Sequence, residues 1–462
     1  MENEIIRAEI AVIGAGPGGG IVAEKTAGKG LKTFLIDKGS LGGSCLNRGC
    51  VPSKSWLAAE HLYRQKEFAK KIGINLTAPD FSGIKAHHEE VVSVMQKGLN
   101  STYQKMGITM LAGNAVFTSE KTLSINNGQT ILEFENAVIA TGSRPINPFG
   151  NGDGIYTSDT IFTIEKLPES IAIIGGGAIG MEMATFFSGV GTNVTVIEAL
   201  EDILPTVDGE IRAVVKRELK KKGVTFLTAT KASKVSRHRD SMRIDLENGE
   251  TVNSEILLVA IGRIPESGSL GLENTEVSTD KDGYIITDQA MRTSQKGIYA
   301  IGDVAGKTNL AYIAHHEGIV AARDILGSRG LAIMDARPVR IDHFTLPIII
   351  FTNPEVGFVG KTEEDLKREG NPYNRGVHFI RALARAHASG EIAGLVKILT
   401  DDSGRIVGIH MAGPGATEIV HTAAVAIKAE MTAEAMANTI FGHPTIAEAI
   451  PLAAASLLEA KK

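Results

Sequence analysis

The hydrophobic positions of this chain fall into short continuous apolar runs, each followed by a glycine-rich turn and then by a mixed, helix-like segment. Residues 9–37, EIAVIGAGPGGGIVAEKTAGKGLKTFLID, predict a strand, a turn, a helix and a second strand ending at Asp37. Residues 170–198, SIAIIGGGAIGMEMATFFSGVGTNVTVIE, repeat the pattern and end at Glu198. Runs apolar at every position suit parallel strands buried on both faces, so the repeat predicts two α/β dinucleotide-binding units in one polypeptide.

Between the units, residues 55–110 predict mainly helix, and ENAVIATGSRP predicts a returning strand followed by a turn at Pro145. PINPFGNGDG, dense in Pro, Gly and Asn, marks a boundary near residue 150. Residues 284–306, YIITDQAMRTSQKGIYAIGDVAG, predict another strand and turn. From about Phe344 the pattern changes: LPIIIFTNPEVGFVG, LVKILTD and IVGIHMAG predict strands, and alanine-rich helices follow to the end. That is an α+β arrangement with no glycine-rich phosphate loop. The expected class is α/β, with two Rossmann-like domains and a C-terminal α+β domain.

Composition adds limits. A net charge of -5 and the lack of a long Lys/Arg block argue against a nucleic-acid or membrane-surface partner. No apolar run reaches the roughly 18 residues of a membrane span. The acidic start MENEIIRAE leads directly into a strand, which leaves no room for a secretion signal and predicts a cytoplasmic location unless a transit peptide was removed.

Each glycine turn fits dinucleotide chemistry. Gly14, Gly16 and Gly19 allow a tight turn and a close backbone approach to a pyrophosphate at a helix N-terminus, and Asp37 is placed for ribose hydroxyls. Gly175, Gly177, Gly180 and Glu198 repeat these roles. A carboxylate at Glu198 repels a 2′-phosphate, and Ala199 and Leu200 supply no arginine, so the second unit is expected to take NAD over NADP.

The two cysteines of the chain, Cys45 and Cys50, stand together in GGSCLNRGCVPSK, which reads as one turn-rich loop. They could be buried small hydrophobes, half of a zinc site, or a redox pair. A metal set is not expected, because no second cysteine pair exists. Pro52 suits a first helical turn and would set Cys50 at a helix N-terminus that favours its thiolate.

CLNRGCVPSK between two dinucleotide units, with ATGSRP at 140–145, AIGDV at 300–304 and GHPTIAE at 442–448, resembles the flavin-dependent pyridine nucleotide-disulfide oxidoreductases along the whole chain. The resemblance implies an FAD-binding domain at 1–150, an NAD-binding domain at 151–278, a central segment at 279–343 completing the FAD site, and an interface domain at 344–462 that makes a homodimer. It implies a redox disulfide of Cys45 and Cys50, a Lys54–Glu182 pair beside the flavin, and a His443–Glu448 pair that enters the partner's active site. Thr445 and Glu448 also read as a capping box for the last helix.

For FAD the resemblance adds Lys38, Gly43, Ser44, Lys54, Ala115, Thr141, Gly142 and Ser143, then Asp303, Asn309, Leu310, Ala311 and Tyr312. For NAD it adds Ala178, Ile179, Glu182 and Gly262. Within the family, NAD preference, FTNPEVGFVGKTEEDL at 351–366 and GIHMAGPGATEI at 408–419 look most like the dihydrolipoyl dehydrogenases. That branch implies oxidation of a dihydrolipoyl group on a carrier protein, with electrons passing through the disulfide and FAD to NAD. The alternatives are an NADH-dependent reductase of another disulfide and a non-catalytic flavoprotein subunit of a lipoyl assembly. Arg48, Phe441 and Tyr312 depart from the usual pattern around the site.

Overall fold

The computed structural model describes residues 4–306, 308–331 and 342–459. Expectations for the N-terminal Met-Glu-Asn, for 332–341 within the central segment and for the terminal Ala-Lys-Lys lie outside the described residues.

The first apolar run forms β1 (Glu4–Ile13), the glycine turn leads into α1 (Pro17–Ala27), and β2 (Thr33–Asp37) returns parallel to β1, with Ile13 paired to Ile36. The cysteine segment follows as α2 (Gly43–Arg48) and α3 (Cys50–Arg64), then α4 (Lys66–Lys71) and α5 (Phe81–Lys105). The sheet is completed by β3 (Thr109–Ala112), β4 (Ala115–Ser119), β5 (Thr122–Ile125) and β6 (Thr130–Ile139), in the order β3-β2-β1-β6-β5-β4. Strand Ile298–Ala300 pairs in parallel with the upper half of β6, so the segment after the second unit returns to the first sheet.

Two short strands, β7 (Ser143–Pro145) and β8 (Ile155–Thr157), lead to the second unit, in which β9 (Ser170–Ile174), α6 (Ala178–Gly189) and β10 (Asn193–Ile197) repeat the first. Its five-stranded parallel sheet also takes in β8, Thr225–Leu227 and Ile256–Val259. Helix α7 (Gly209–Lys221) covers it, and a three-stranded antiparallel sheet is appended. The C-terminal part is a five-stranded antiparallel sheet packed by helices Ala416–Lys428 and Ala449–Glu459. No helix among the described residues is long and apolar enough to cross a membrane.

Three local expectations are corrected. Pro145 does not make a turn: it ends β7, which pairs antiparallel with Arg263–Pro265. Proline's missing N–H is tolerated there because a two-stranded ribbon leaves one edge unpaired. YIITD makes one isolated bridge, Ile285 to Thr279, in place of a strand. Thr445 does not cap the last helix with its hydroxyl, which donates to Gly442 O at 2.7 Å, although Glu448 does accept the Thr445 N–H at 2.8 Å.

Candidate active site

A cavity of about 1190 Å³ opens at the carboxyl ends of β1, β2 and β6 and reaches the start of α6. It lies where doubly wound sheets bind ligands. Both glycine turns are built the same way. Gly14 has φ +109 and a Cβ there would fall 2.2 Å from Ala140 O; Gly175 has φ +110 and the clash is 2.3 Å with Ala260 O. Gly19 and Gly180 let helix meet strand, since a Cβ would lie 1.9 Å from Gly14 O and 2.0 Å from Gly175 O respectively. Gly16 and Gly177 cap α1 and α6, and a Cβ on either meets nothing within 4 Å. That open space above a helix N-terminus fits a phosphate group.

The acidic residues close each turn. Asp37 accepts from Ala15 N at 2.6 Å and Gly39 N at 2.7 Å; Glu198 accepts from Gly176 N at 2.5 Å and Leu200 N at 2.7 Å. Each carboxylate thus shapes its own turn as well as carrying the charge expected to select a ribose.

Cys45 and Cys50 do not sit on a loop. Cys45 is within α2, and Cys50 opens α3 with Gly49 between the helices. Both are free thiols that share a side-chain hydrogen bond. Cys50 is lowered to about 7, chiefly by the bond from Cys45 and further by Lys54, against burial and Glu182. Cys45 is pushed up by that same bond, by burial and by the charge on Cys50. The arrangement therefore favours the proton on Cys45 and the thiolate on Cys50.

One turn along α3, Lys54 Nζ reaches Glu182 Oε2 at 2.7 Å and Oε1 at 3.0 Å. Glu182 Oε1 also accepts from Phe351 N at 3.0 Å, and the Lys54 ammonium lies 4.5 Å from the Phe351 ring centroid. Asn47, between the cysteines, donates to Leu41 O and Gly43 O at 2.9 and 2.8 Å and accepts from Gln96. These bonds fold the motif into its two-helix shape.

Asp303 accepts from Ser143 Oγ at 2.6 Å, and burial raises its carboxyl above the usual range. Ser143 in turn accepts from Arg263 Nε at 2.8 Å, and Arg263 holds Asp159 at 2.8 Å. Arg48 faces the other oxygen of Asp159 at 3.9 Å, while Lys38 pairs with Glu266 at 2.9 Å. Gly43, Ser44, Ala115, Thr141 and Gly142 line the cavity, as do Asn309, Leu310 and Ala311.

Tyr312 does not line it; its hydroxyl donates to Pro347 O at 2.5 Å. Of the residues expected for NAD, Ala178, Ile179 and Glu182 line the far end of the cavity, whereas Gly175, Gly177, Gly180, Glu198 and Gly262 stand outside it. His443 and Glu448 also lie apart: His443 is 69% exposed and bonds Glu448 Oε1 through Nδ1 at 2.9 Å. Glu448 is lowered by the Thr445 N–H and by His443.

Sequence reasoning missed Arg263, Asp159, Gln96 and the Phe351 amide. Their partners are 49 to 169 positions away, so no local spacing announces them.

Residues 8–318 match the family model described as pyridine nucleotide-disulphide oxidoreductase, and residues 346–454 match its dimerisation domain. The chain is 36% identical to a dihydrolipoyl dehydrogenase of Geobacillus stearothermophilus, over 96% of this chain and 94% of that protein. It is 35% identical to a leghemoglobin reductase of Vigna unguiculata, over 96% and 87%. Among solved structures it resembles the HOCl-induced flavoprotein disulfide reductase RclA from Escherichia coli, with TM-score 0.88, 25% identity and 97% and 99% coverage. LpdA from Mycobacterium tuberculosis gives TM-score 0.87 at 25% identity, again over 97% and 99%.

The fold is thus α/β with two Rossmann-like domains and a C-terminal α+β dimerisation domain, which supports a homodimer. Matched in order across nearly its whole length, the chain belongs to the pyridine nucleotide-disulphide oxidoreductases, flavoproteins that use FAD and NAD(H).

Proposed function

We propose that this oxidoreductase is an NAD-dependent dihydrolipoyl dehydrogenase that oxidises dihydrolipoyl groups carried on a protein. The observation that carries the reading is the Cys45–Cys50 pair at the start of α3, with the Lys54–Glu182 pair one turn away in the same cavity. Near-full-length similarity to dihydrolipoyl dehydrogenases and the carboxylate Glu198 support the dithiol and NAD.

In the oxidised enzyme, a substrate thiolate attacks Cys45, the Cys45–Cys50 bond breaks, and Cys50 leaves as a thiolate. A sulfur held down to about 7 is a good leaving group. The second substrate sulfur then displaces Cys45 and closes the lipoyl disulfide, so the substrate loses two electrons and two protons and the enzyme gains a dithiol. His443 of the partner subunit takes the substrate proton at Nε2, because Glu448 holds Nδ1–H. Gly14, Gly16, Gly19 and Asp37, with Asp303 and Ser143, would hold FAD, which would supply two-electron redox chemistry beside the thiols, and Gly175, Gly177, Gly180 and Glu198 would hold NAD.

The proposal keeps the divisions at 1–150, 151–278, 279–343 and 344–462, and a cytoplasmic location for a chain whose thiols must cycle. Purified yellow protein assayed with dihydrolipoamide, glutathione disulfide and coenzyme A disulfide, each with the NAD and NADP couples, tests it. Fastest turnover with dihydrolipoamide and NAD is expected. Faster turnover of another disulfide refutes the lipoyl assignment, and faster turnover with NADP refutes the reading of Glu198.

A further inference from the structure

Helices α3 and α6 belong to different nucleotide units yet run side by side through three successive contacts. Lys54 meets Glu182 at 2.7 Å, and Trp56 packs on Phe186 with ring centroids 4.8 Å apart. Farther along, Glu60 lies against Gly189, where a Cβ would fall 2.3 Å from the Glu60 Cγ. Positions 54, 56 and 60 answer 182, 186 and 189, so the helices advance in the same direction. One starts at Cys50 and the other at the second glycine turn.

Glu60 is 1% exposed, a place where an unpaired carboxylate is strongly disfavoured. Lys222, just past α7 of the second unit, holds it at 2.9 Å. Arg64 holds its other oxygen at 3.6 Å and also reaches Glu391 of the C-terminal domain at 2.6 Å. The Glu60 carboxylate therefore fastens the distal part of α3 to the second unit, and Arg64, which it holds on the same helix, fastens it to the C-terminal domain. The proximal part is fastened in the same three-way manner, since Glu182 takes both Lys54 and the Phe351 amide. Gly189 makes room for this fit, because an added Cβ would fall 2.3 Å from the Cγ and 2.7 Å from the Oε1 of Glu60, and the carboxylate would have to shift.

We propose that Glu60 is a positioning residue: with Lys222, Arg64 and Glu391 it clamps the distal end of α3 so that Cys50 and Lys54 keep their place against the second nucleotide unit. The α-helix transmits the constraint, its 15 residues spanning about 22 Å as one hydrogen-bonded rod. This rests on Cys50 being a redox thiol, and on no particular disulfide substrate.

The test uses the flavin-loaded protein with Glu60→Gln, Lys222→Met and Gly189→Ala. After reduction, the pH profile of Cys50 alkylation by iodoacetamide is followed on its own peptide by mass spectrometry. Turnover is measured with the disulfide couple the unaltered protein uses, and separately as NADH-dependent ferricyanide reduction, which bypasses the thiols. All three variants are expected to keep their flavin, and the alkylation midpoint should rise by about half a unit or more as Lys54 loses its place. Thiol-dependent turnover should fall by about fivefold or more while ferricyanide reduction changes by less than about twofold. Lys222→Met alters a part-exposed side chain and gives a readout even if Glu60→Gln does not fold. Unmoved midpoints, or equal losses in the two assays, overturn the proposal. If alkylated wild-type protein still turns over its disulfide, the redox reading of Cys50 is what fails.

Discussion

Lys54 on α3 and Glu182 on α6 lie 128 positions apart, yet their charged groups meet at 2.7 Å beside the paired thiols. The contact joins the two nucleotide units at the point where electrons are expected to cross between them. It also places a cation where it favours the Cys50 thiolate, and the consequence is a pH dependence.

Because Cys50 is lowered to about 7, its thiolate is present above that pH and is lost as the pH falls through it. Alkylation of reduced protein should follow a single rise with a midpoint near 7. Lys54→Met removes one of the groups that lower it, so its midpoint should move up toward the roughly 8.5 of an ordinary thiol. An unchanged midpoint would show that Lys54 does not act on the sulfur.

Cys50→Ser should reduce disulfide-dependent turnover by about a thousandfold or more, because no other thiol in the chain can re-form the bond to Cys45. Flavin absorbance and NADH-dependent ferricyanide reduction should survive. Undiminished lipoamide turnover in this variant rules out the thiol relay.

His443 is exposed and stands outside the cavity that holds Cys45 and Cys50, so the proposed proton transfer needs a second subunit. Mixing inactive Cys50→Ser and His443→Gln proteins under subunit exchange gives hybrid dimers with one intact site. Random pairing should restore about a quarter of wild-type activity in a two-fold dimer. Zero recovery despite mass-verified hybrids would place the histidine's action within its own subunit.

Glu198 shapes its turn by accepting two backbone N–H groups, and the proposed function also gives it the ribose of NAD. Glu198→Arg should raise the KM for NAD by about tenfold or more, a loss of ~1.4 kcal/mol in binding. It should recover little use of NADPH, because the Gly176 and Leu200 amides lose their acceptor. A clean switch to NADPH would show that the turn does not need the carboxylate.

Trp56 is fully buried among Phe81, Phe162, Phe186 and Phe187. Trp56→Ala should cost about 3–5 kcal/mol by cavity formation, measured by denaturant unfolding of the flavin-loaded protein. A loss below about 1 kcal/mol would mean that the α3–α6 contact collapses to fill the space.

Much of this protein is legible along the chain because its logic is local. Gly14 and Gly175 need positive φ, Gly19 and Gly180 need a helix to touch a strand, and Asp37 and Glu198 end the next strand, all within 30 residues. The cysteine motif is local in the same sense, though its loop-like glycines concealed the short helix that carries Cys45. Tertiary packing alone decided which charges meet. Lys54 could have been a solvated cation, Glu60 an ordinary helix-surface acid, and Pro145 a turn residue, until distant segments covered them. Burial changes the dielectric and the available partners at a side chain, and neither quantity is a property of its sequence neighbours. Apolar periodicity therefore specified the two nucleotide units, while the assembled domains specified the ion pairs that hold the thiols between them.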